Sequence, residues 1–180
     1  MLYIQTPLVL ITSAALNVST TGSSNVAVGR QALQANTTAS SNTAVGYQAG
    51  FSNTTGANGV FVGYYAGRSN TTGVANVAMG LQALQDNATG SYNIAIGQQA
   101  LENNTASQNT AVGYQSMYTN TSGTEQVAVG YEALYSNTTA HTNHAFGYRA
   151  LKANTTGAGN VAVGHSALTS NTPAPRNTAV

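Results

Sequence analysis

Apolar residues along this chain recur as a block rather than as one long alternation. Glycines preceded by an apolar residue stand at Gly29, Gly46, Gly63, Gly80, Gly97, Gly113, Gly130, Gly147 and Gly164, seventeen residues apart except for a sixteen-residue step from Gly97 to Gly113. With Asn25 as position one, the unit reads roughly Asn-Val/Thr-Ala-Val-Gly-Tyr-Gln-Ala-Leu-x-x-Asn-Thr-Thr-Gly-x-x. Position four is always apolar, from Val28 through Val45, Val62, Met79, Ile96, Val112, Val129, Phe146 and Val163 to Val180. Position two is mostly Val, Ile or Thr, with His144 as the exception. Position three is Ala except for Phe61, and position eight is Ala except for Ser116. Position twelve is Asn in every complete unit: Asn36, Asn53, Asn70, Asn87, Asn104, Asn120, Asn137, Asn154 and Asn171.

The period selects the fold. Repeats of this length are stacking units that cannot bury their apolar residues alone. Gly, Asn and Thr-Thr recur too often for helix interiors, whereas Val-Ala-Val and Ile-Ala-Ile bounded by Asn and Gly carry the signature of short strands. The pattern predicts an all-β chain, a parallel β-solenoid (β-roll or β-helix) of about ten coils, each with two short strands and two turns, advancing about 4.8 Å per coil. Positions two and four share one strand face. The position-five glycines predict a positive φ or a close backbone approach. The position-twelve asparagines predict a stacked amide ladder. Each coil buries only about four apolar side chains, so association of several chains is expected.

The frame divides the chain into residues 1–24, a degenerate, more apolar first coil or cap, and residues 25–180, a solenoid whose last coil is incomplete. Leu8-Val9-Leu10-Ile11 sits where Asn-Val-Ala-Val sits later, and Ala15-Leu16 matches Ala-Leu. At the other end Arg176-Asn-Thr-Ala-Val180 begins a further coil after Pro173-Ala-Pro175. Uncovered parallel edges at both ends predict self-association, laterally or end to end.

Charge narrows the choice of partners. Five basic and four acidic residues, 5% of the chain, leave a net charge of +1, which lacks the Lys/Arg clusters of a nucleic-acid binder. Cysteine is absent, excluding disulfides, thiolate metal sites and thiol nucleophiles. No window is apolar for the roughly 18 residues a membrane helix needs, so membrane insertion is not expected. The first basic residue is Arg30, which argues against a secretory leader at the start of the chain.

Candidate chemistry is sparse. Asp86, Glu102, Glu125 and Glu132 fall at four different repeat positions, and His141, His144 and His165 are likewise dispersed; no catalytic site or cofactor is expected. His144 is the one weak metal candidate. It would become a ligand if several copies met on its face. Position six is aromatic at Tyr47, Tyr64, Tyr114, Tyr131 and Tyr148, a row that either stacks from coil to coil or meets a sugar surface. Glycosylation sequons begin at Asn17, Asn36, Asn53, Asn70, Asn87, Asn103, Asn120, Asn137 and Asn154, most of them coinciding with the ladder. The Asn-Thr-Thr runs leave ice binding as a minor alternative.

Asn42-Thr-Ala-Val-Gly-Tyr-Gln-Ala and Asn53-Thr-Thr-Gly resemble repeats of phage tail-fibre-like proteins, and the Val-Ala-Val-Gly and Ile-Ala-Ile-Gly cores are similar to head repeats of trimeric autotransporter adhesins. The resemblance covers residues 25–180. It implies a trimeric parallel β-roll or β-helix serving as a shaft or an adhesive head. The expectation is therefore a non-enzymatic fibre or filament module, extracellular, at a cell surface or in a virion, whose partner is itself as a homotrimer or filament. The alternative is an adhesin head or receptor-binding segment that recognises a cell-surface glycan or receptor.

Overall fold

The computed structural model describes residues 15, 16, 18 and 21–180. Ten short strands follow one another: β1 (Val26–Val28), β2 (Thr43–Val45), β3 (Val60–Val62), β4 (Val77–Met79), β5 (Ile94–Ile96), β6 (Thr110–Val112), β7 (Val127–Val129), β8 (His144–Phe146), β9 (Val161–Val163) and β10 (Thr178–Ala179). They form one parallel sheet in sequence order, and equivalent residues pair at every step, as in Ala27↔Ala44 and Ala95↔Ala111. The chain is a parallel β-solenoid of about nine turns.

The sixteen-residue coil does not disturb this register. Ile94 still pairs with Thr110, and the missing residue is absorbed after Thr105. There the Asn104 side chain donates to Ala106 O two residues on, where Asn120 reaches three residues on to Gly123 O. Turns at the surface are where a lost residue costs least.

Each coil carries one strand, not two. The second expected strand is replaced over positions six to eleven by turns in which positions seven and nine are left-handed, with φ +61° at Gln31 and +47° at Leu33. Strands require negative φ, so no second strand forms there. The inter-coil bonding nevertheless continues: Leu33 N donates to Ala49 O (3.0 Å) and Gln48 N to Arg30 O (3.0 Å). A left-handed non-glycine residue costs roughly 1–2 kcal/mol. Burying a leucine side chain contributes about 1.5–3 kcal/mol. The left-handed turn aims Leu33, Leu84, Leu101, Leu134 and Leu151 into the interior, where all are fully buried, and burial wins.

The interior is lined by small residues. Position three (Ala27, Ala44, Ala78, Ala95, Ala111, Ala128, Ala145, Ala162) and position eight (Ala32, Ala49, Ala66, Ala83, Ala100, Ala133, Ala150) are buried together with the position-nine leucines. Positions two and four do share a face, and it is the outer one: every three-residue strand buries only its middle residue. A coil of seventeen residues is too narrow for two inward rows of β-branched side chains beside a row of leucines. Upstream, Ala15 and Leu16 pack against the same core, with Leu16 N donating to Ala32 O (3.1 Å). The Leu8–Ile11 part of the proposed cap lies outside the described residues. Among the described residues no helix is long and apolar enough to cross a membrane.

Candidate functional site

The position-twelve asparagines are fully buried from Asn36 to Asn154 and bonded in series. Asn53 Nδ2 donates to Asn36 Oδ1 (3.2 Å), Asn70 to Asn53 (2.9 Å), Asn87 to Asn70 (3.0 Å), Asn120 to Asn104 (2.7 Å) and Asn137 to Asn120 (2.9 Å). Asn104, Asn154 and Asn171 continue the run. Each amide also donates to its own turn, as Asn87 does to Gly90 O (2.8 Å). The sequons that start on this row at Asn36, Asn53, Asn70, Asn87, Asn120, Asn137 and Asn154 present no accessible amide in the folded chain. Asn103 is half-buried, and Asn17 lies outside the described residues.

A second buried amide row runs beside the first at position one and was not singled out in the sequence. Its members include Asn25, Asn42, Asn76, Asn93, Asn109, Asn143 and Asn160. Each Oδ1 accepts from the position-one backbone N–H of the next coil, as in Asn42 N to Asn25 Oδ1 (2.9 Å) and Asn93 N to Asn76 Oδ1 (2.9 Å). The signal was legible, because Asn stands at position one in most units.

The position-five glycines combine both expected constraints. Their φ lies between +127° at Gly29 and +140° at Gly130. A Cβ on Gly97 would stand 2.5 Å from Gly113 O, and one on Gly29 2.5 Å from Gly46 O. Gly46, Gly63, Gly80, Gly113, Gly130 and Gly147 meet the backbone of the following glycine in the same way, while Gly164 faces open space.

The tyrosine row stacks on itself. Ring centroids are 5.3 Å apart for Tyr47–Tyr64, 5.0 Å for Tyr114–Tyr131 and 5.3 Å for Tyr131–Tyr148, and His165 continues the stack on Tyr148 at 4.8 Å. Leu81 and Gln98 separate the two runs. Tyr131 and Tyr148 are stacked on both faces and the end rings of each run on one, so edges, hydroxyls and the outer faces of the end rings remain. Tyr118 and Tyr135 form a parallel pair at 5.4 Å.

The charged residues that dispersal had set aside are partly brought together. Glu132 Oε2 accepts from Arg149 Nε at 2.8 Å and from Lys152 Nζ at 2.6 Å. Burial pushes the Glu132 carboxyl up, but the hydrogen bonds and charges of Lys152 and Arg149 outweigh it and leave it below the usual carboxylate range. Arg149 also lies over Tyr148 (4.9 Å) and Tyr131 (5.9 Å). Sequence reasoning missed this cluster, although Glu132 and Arg149 occupy position seven of consecutive coils. Glu102 stands apart. Desolvation raises its carboxyl despite a hydrogen bond from Gln99, and its Oε2 is buried without a partner. Asp86, Glu125 and His141 stay dispersed; His141 Nδ1 accepts from Thr124 N (3.1 Å). Among the described residues no group of three or more His, Asp or Glu gathers as a metal site.

The threonines of the Asn-Thr-Thr turns are committed to the stack. Thr54 Oγ1 donates to Thr71 O (3.1 Å) and Thr121 Oγ1 to Thr138 O (3.1 Å).

The outer sheet face remains. Positions two and four present Val26, Val45, Met79, Ile94, Ile96, Phe146 and Val163 with 37–41% of their surface exposed, and the remaining members are half-buried or exposed. Neither position carries Lys, Arg, Asp or Glu in any coil. Ten strands at about 4.8 Å make this an uncharged strip roughly 43 Å long. No family model matches the chain, and no curated protein or solved structure matches it.

Proposed function

We propose that the chain is a non-enzymatic structural module of a fibre or filament, extracellular or virion-associated, that self-associates through its outer sheet face. The observation that carries this reading is the placement of the β-branched rows outside. About twenty half-exposed, mostly apolar side chains at roughly 50 Å² each present on the order of 1,000 Å² of continuous surface. The largest apolar patch on a typical monomer is about 300–600 Å², and a standard interface needs about 800 Å² per partner. A second copy fits this strip best, because its strands repeat at the same spacing and neither face carries charge to exclude the other. Sedimentation of the full chain should give an oligomer at micromolar concentration. Ile94→Lys with Ile96→Lys should give a monomer with the same β-type circular dichroism. A parent chain that stays monomeric would overturn the reading.

A second reading, an adhesin head or receptor-binding segment for a host surface or glycan, is favoured by the exposure of Tyr64, Tyr92, Tyr131 and Tyr148. Because Tyr131 and Tyr148 are stacked on both faces, a ligand on this row would meet hydroxyls, ring edges and Arg149. Glycan-array binding by the assembled oligomer, lost in Tyr131→Ala with Tyr148→Ala, would support it.

A further inference from the structure

The three histidines differ in what they have to do. His141 is hydrogen-bonded to Thr124, and His165 stacks on Tyr148. Among the described residues the His144 imidazole has no hydrogen bond, ion pair or ring contact. It projects from position two of β8 on the outer sheet face, between Val127 and Val161 of the paired strands, with Phe146 beside it on its own strand. The rest of this face is apolar or threonine.

If the face is buried between copies, a lone imidazole in an apolar seam leaves polar nitrogens unsatisfied and weakens association by about tenfold to a hundredfold. The partner must come from another copy. Copies related by rotation about an axis along the solenoid carry equivalent residues at the same height, because rotation about that axis leaves height unchanged. His144 of each copy then faces the axis at one level. Neutral imidazoles are ligands for divalent ions of the zinc, cobalt, nickel and copper class, and two or three of them with water complete a four-coordinate site. Phe146 and the flanking valines would form a dry shell around it.

We propose that His144 is a ligand in a transition-metal site that is completed only when copies of the chain meet on the outer sheet face. This rests on the self-association reading above, and the experiment separates the two. The full chain and His144→Val are stripped with EDTA, then sedimented with and without Zn²⁺, and metal content is measured. Zn²⁺ should tighten association of the parent tenfold or more, with one ion per oligomer, and Co²⁺ should give the visible absorption of an imidazole-bound ion. His144→Val should associate in EDTA at least as tightly as the parent and ignore both metals. A metal response that survives in His144→Val, or a parent oligomer that binds no metal and is unchanged by it, overturns the site. A parent that is monomeric in EDTA and assembles only with metal, through His144, upholds the site while removing metal-free association. A chain monomeric throughout overturns both.

Discussion

The third coil and the fifth solve the same packing problem with different parts. In the fifth, Ala95 on the strand shares the core with Leu84 and Leu101 from position nine. In the third, Phe61 takes the strand position, and the position-nine residues on either side are Gly50 and Gly67. A Cβ on Gly50 would lie 2.8 Å from the Phe61 ring, one on Gly59 2.6 Å from it, and one on Gly67 would overlap it. Two isobutyl groups have gone and one benzyl group has arrived, from a different row and spread over adjacent coils. Interior volume is therefore conserved across neighbouring coils rather than within each one. Gly59 also replaces the position-one asparagine of this coil, and its N–H still donates to Asn42 Oδ1 (2.7 Å).

The sharpest way to break this comparison is to exchange the two solutions. Phe61→Ala should destabilise by about 3–5 kcal/mol, since glycines flank the cavity and cannot fill it. Gly67→Leu alone should cost about 3 kcal/mol by overpacking against the ring. Combining Phe61→Ala with Gly50→Leu and Gly67→Leu recreates the fifth coil's arrangement and should recover stability to within about 1.5 kcal/mol of the parent. Leucine already occupies position nine elsewhere at φ near +50°, as at Leu101 and Leu134, so the backbone accepts it. Urea melts of the series check this, and additive effects would show that Phe61 and the glycines are unrelated.

Backbone contact, unlike volume, is common to both regions. Gly97→Val should cost roughly 3 kcal/mol, from strain at φ +129° and from collision with Gly113 O. Gly164→Ala has the same φ with open space around it, and should cost only about 1–2 kcal/mol. Equal losses in thermal melts would show that strain alone matters.

The ladder comes next. Asn87→Val removes the donor to Asn70 Oδ1 and Gly90 O and should cost about 1–3 kcal/mol through unsatisfied buried acceptors. Hydrogen exchange should speed up in the coils touching Asn87 more than in distant ones.

The smallest effect concerns two carboxylates with opposite shifts. Glu102 is raised, so as pH climbs from the ordinary carboxylate value towards the raised one the unfolded chain loses its proton first and stability falls. Glu132 is lowered, so its contribution is present above the ordinary value and is lost as pH falls through the lowered one. Glu102→Gln should therefore stabilise by about 1 kcal/mol at neutral pH, by removing a desolvated negative charge, and its melting temperature should decline less than the parent's between acid and neutral pH.

Period, parallel stacking, the asparagine row and the glycine row were legible because each rests on a residue type with a narrow conformational or bonding role. What could not be read was which strand face points inward. A Val-Ala-Val strand offers two faces, and the apolar one ordinarily marks a core; here the width of the coil reverses that choice. The missing second strand was hidden for a related reason. Its left-handed positions are filled by Gln31, Leu33 and their equivalents, which advertise no positive φ as Gly or Asn would. The Glu132–Arg149–Lys152 cluster and the Phe61 exchange become visible once residues are compared along rows.

The sixteen-residue coil has a consequence for how such an array can be edited. Because register, glycine row and asparagine row all pass the shortened corner after Thr105 unchanged, length at that corner is decoupled from everything the stack depends on. A corner that accepts a missing residue without moving its neighbours is also the natural place to accept added ones. Each coil thus offers an equivalent port at a known height, where a peptide or a reporter could be grafted as a graduated series along a rigid rule.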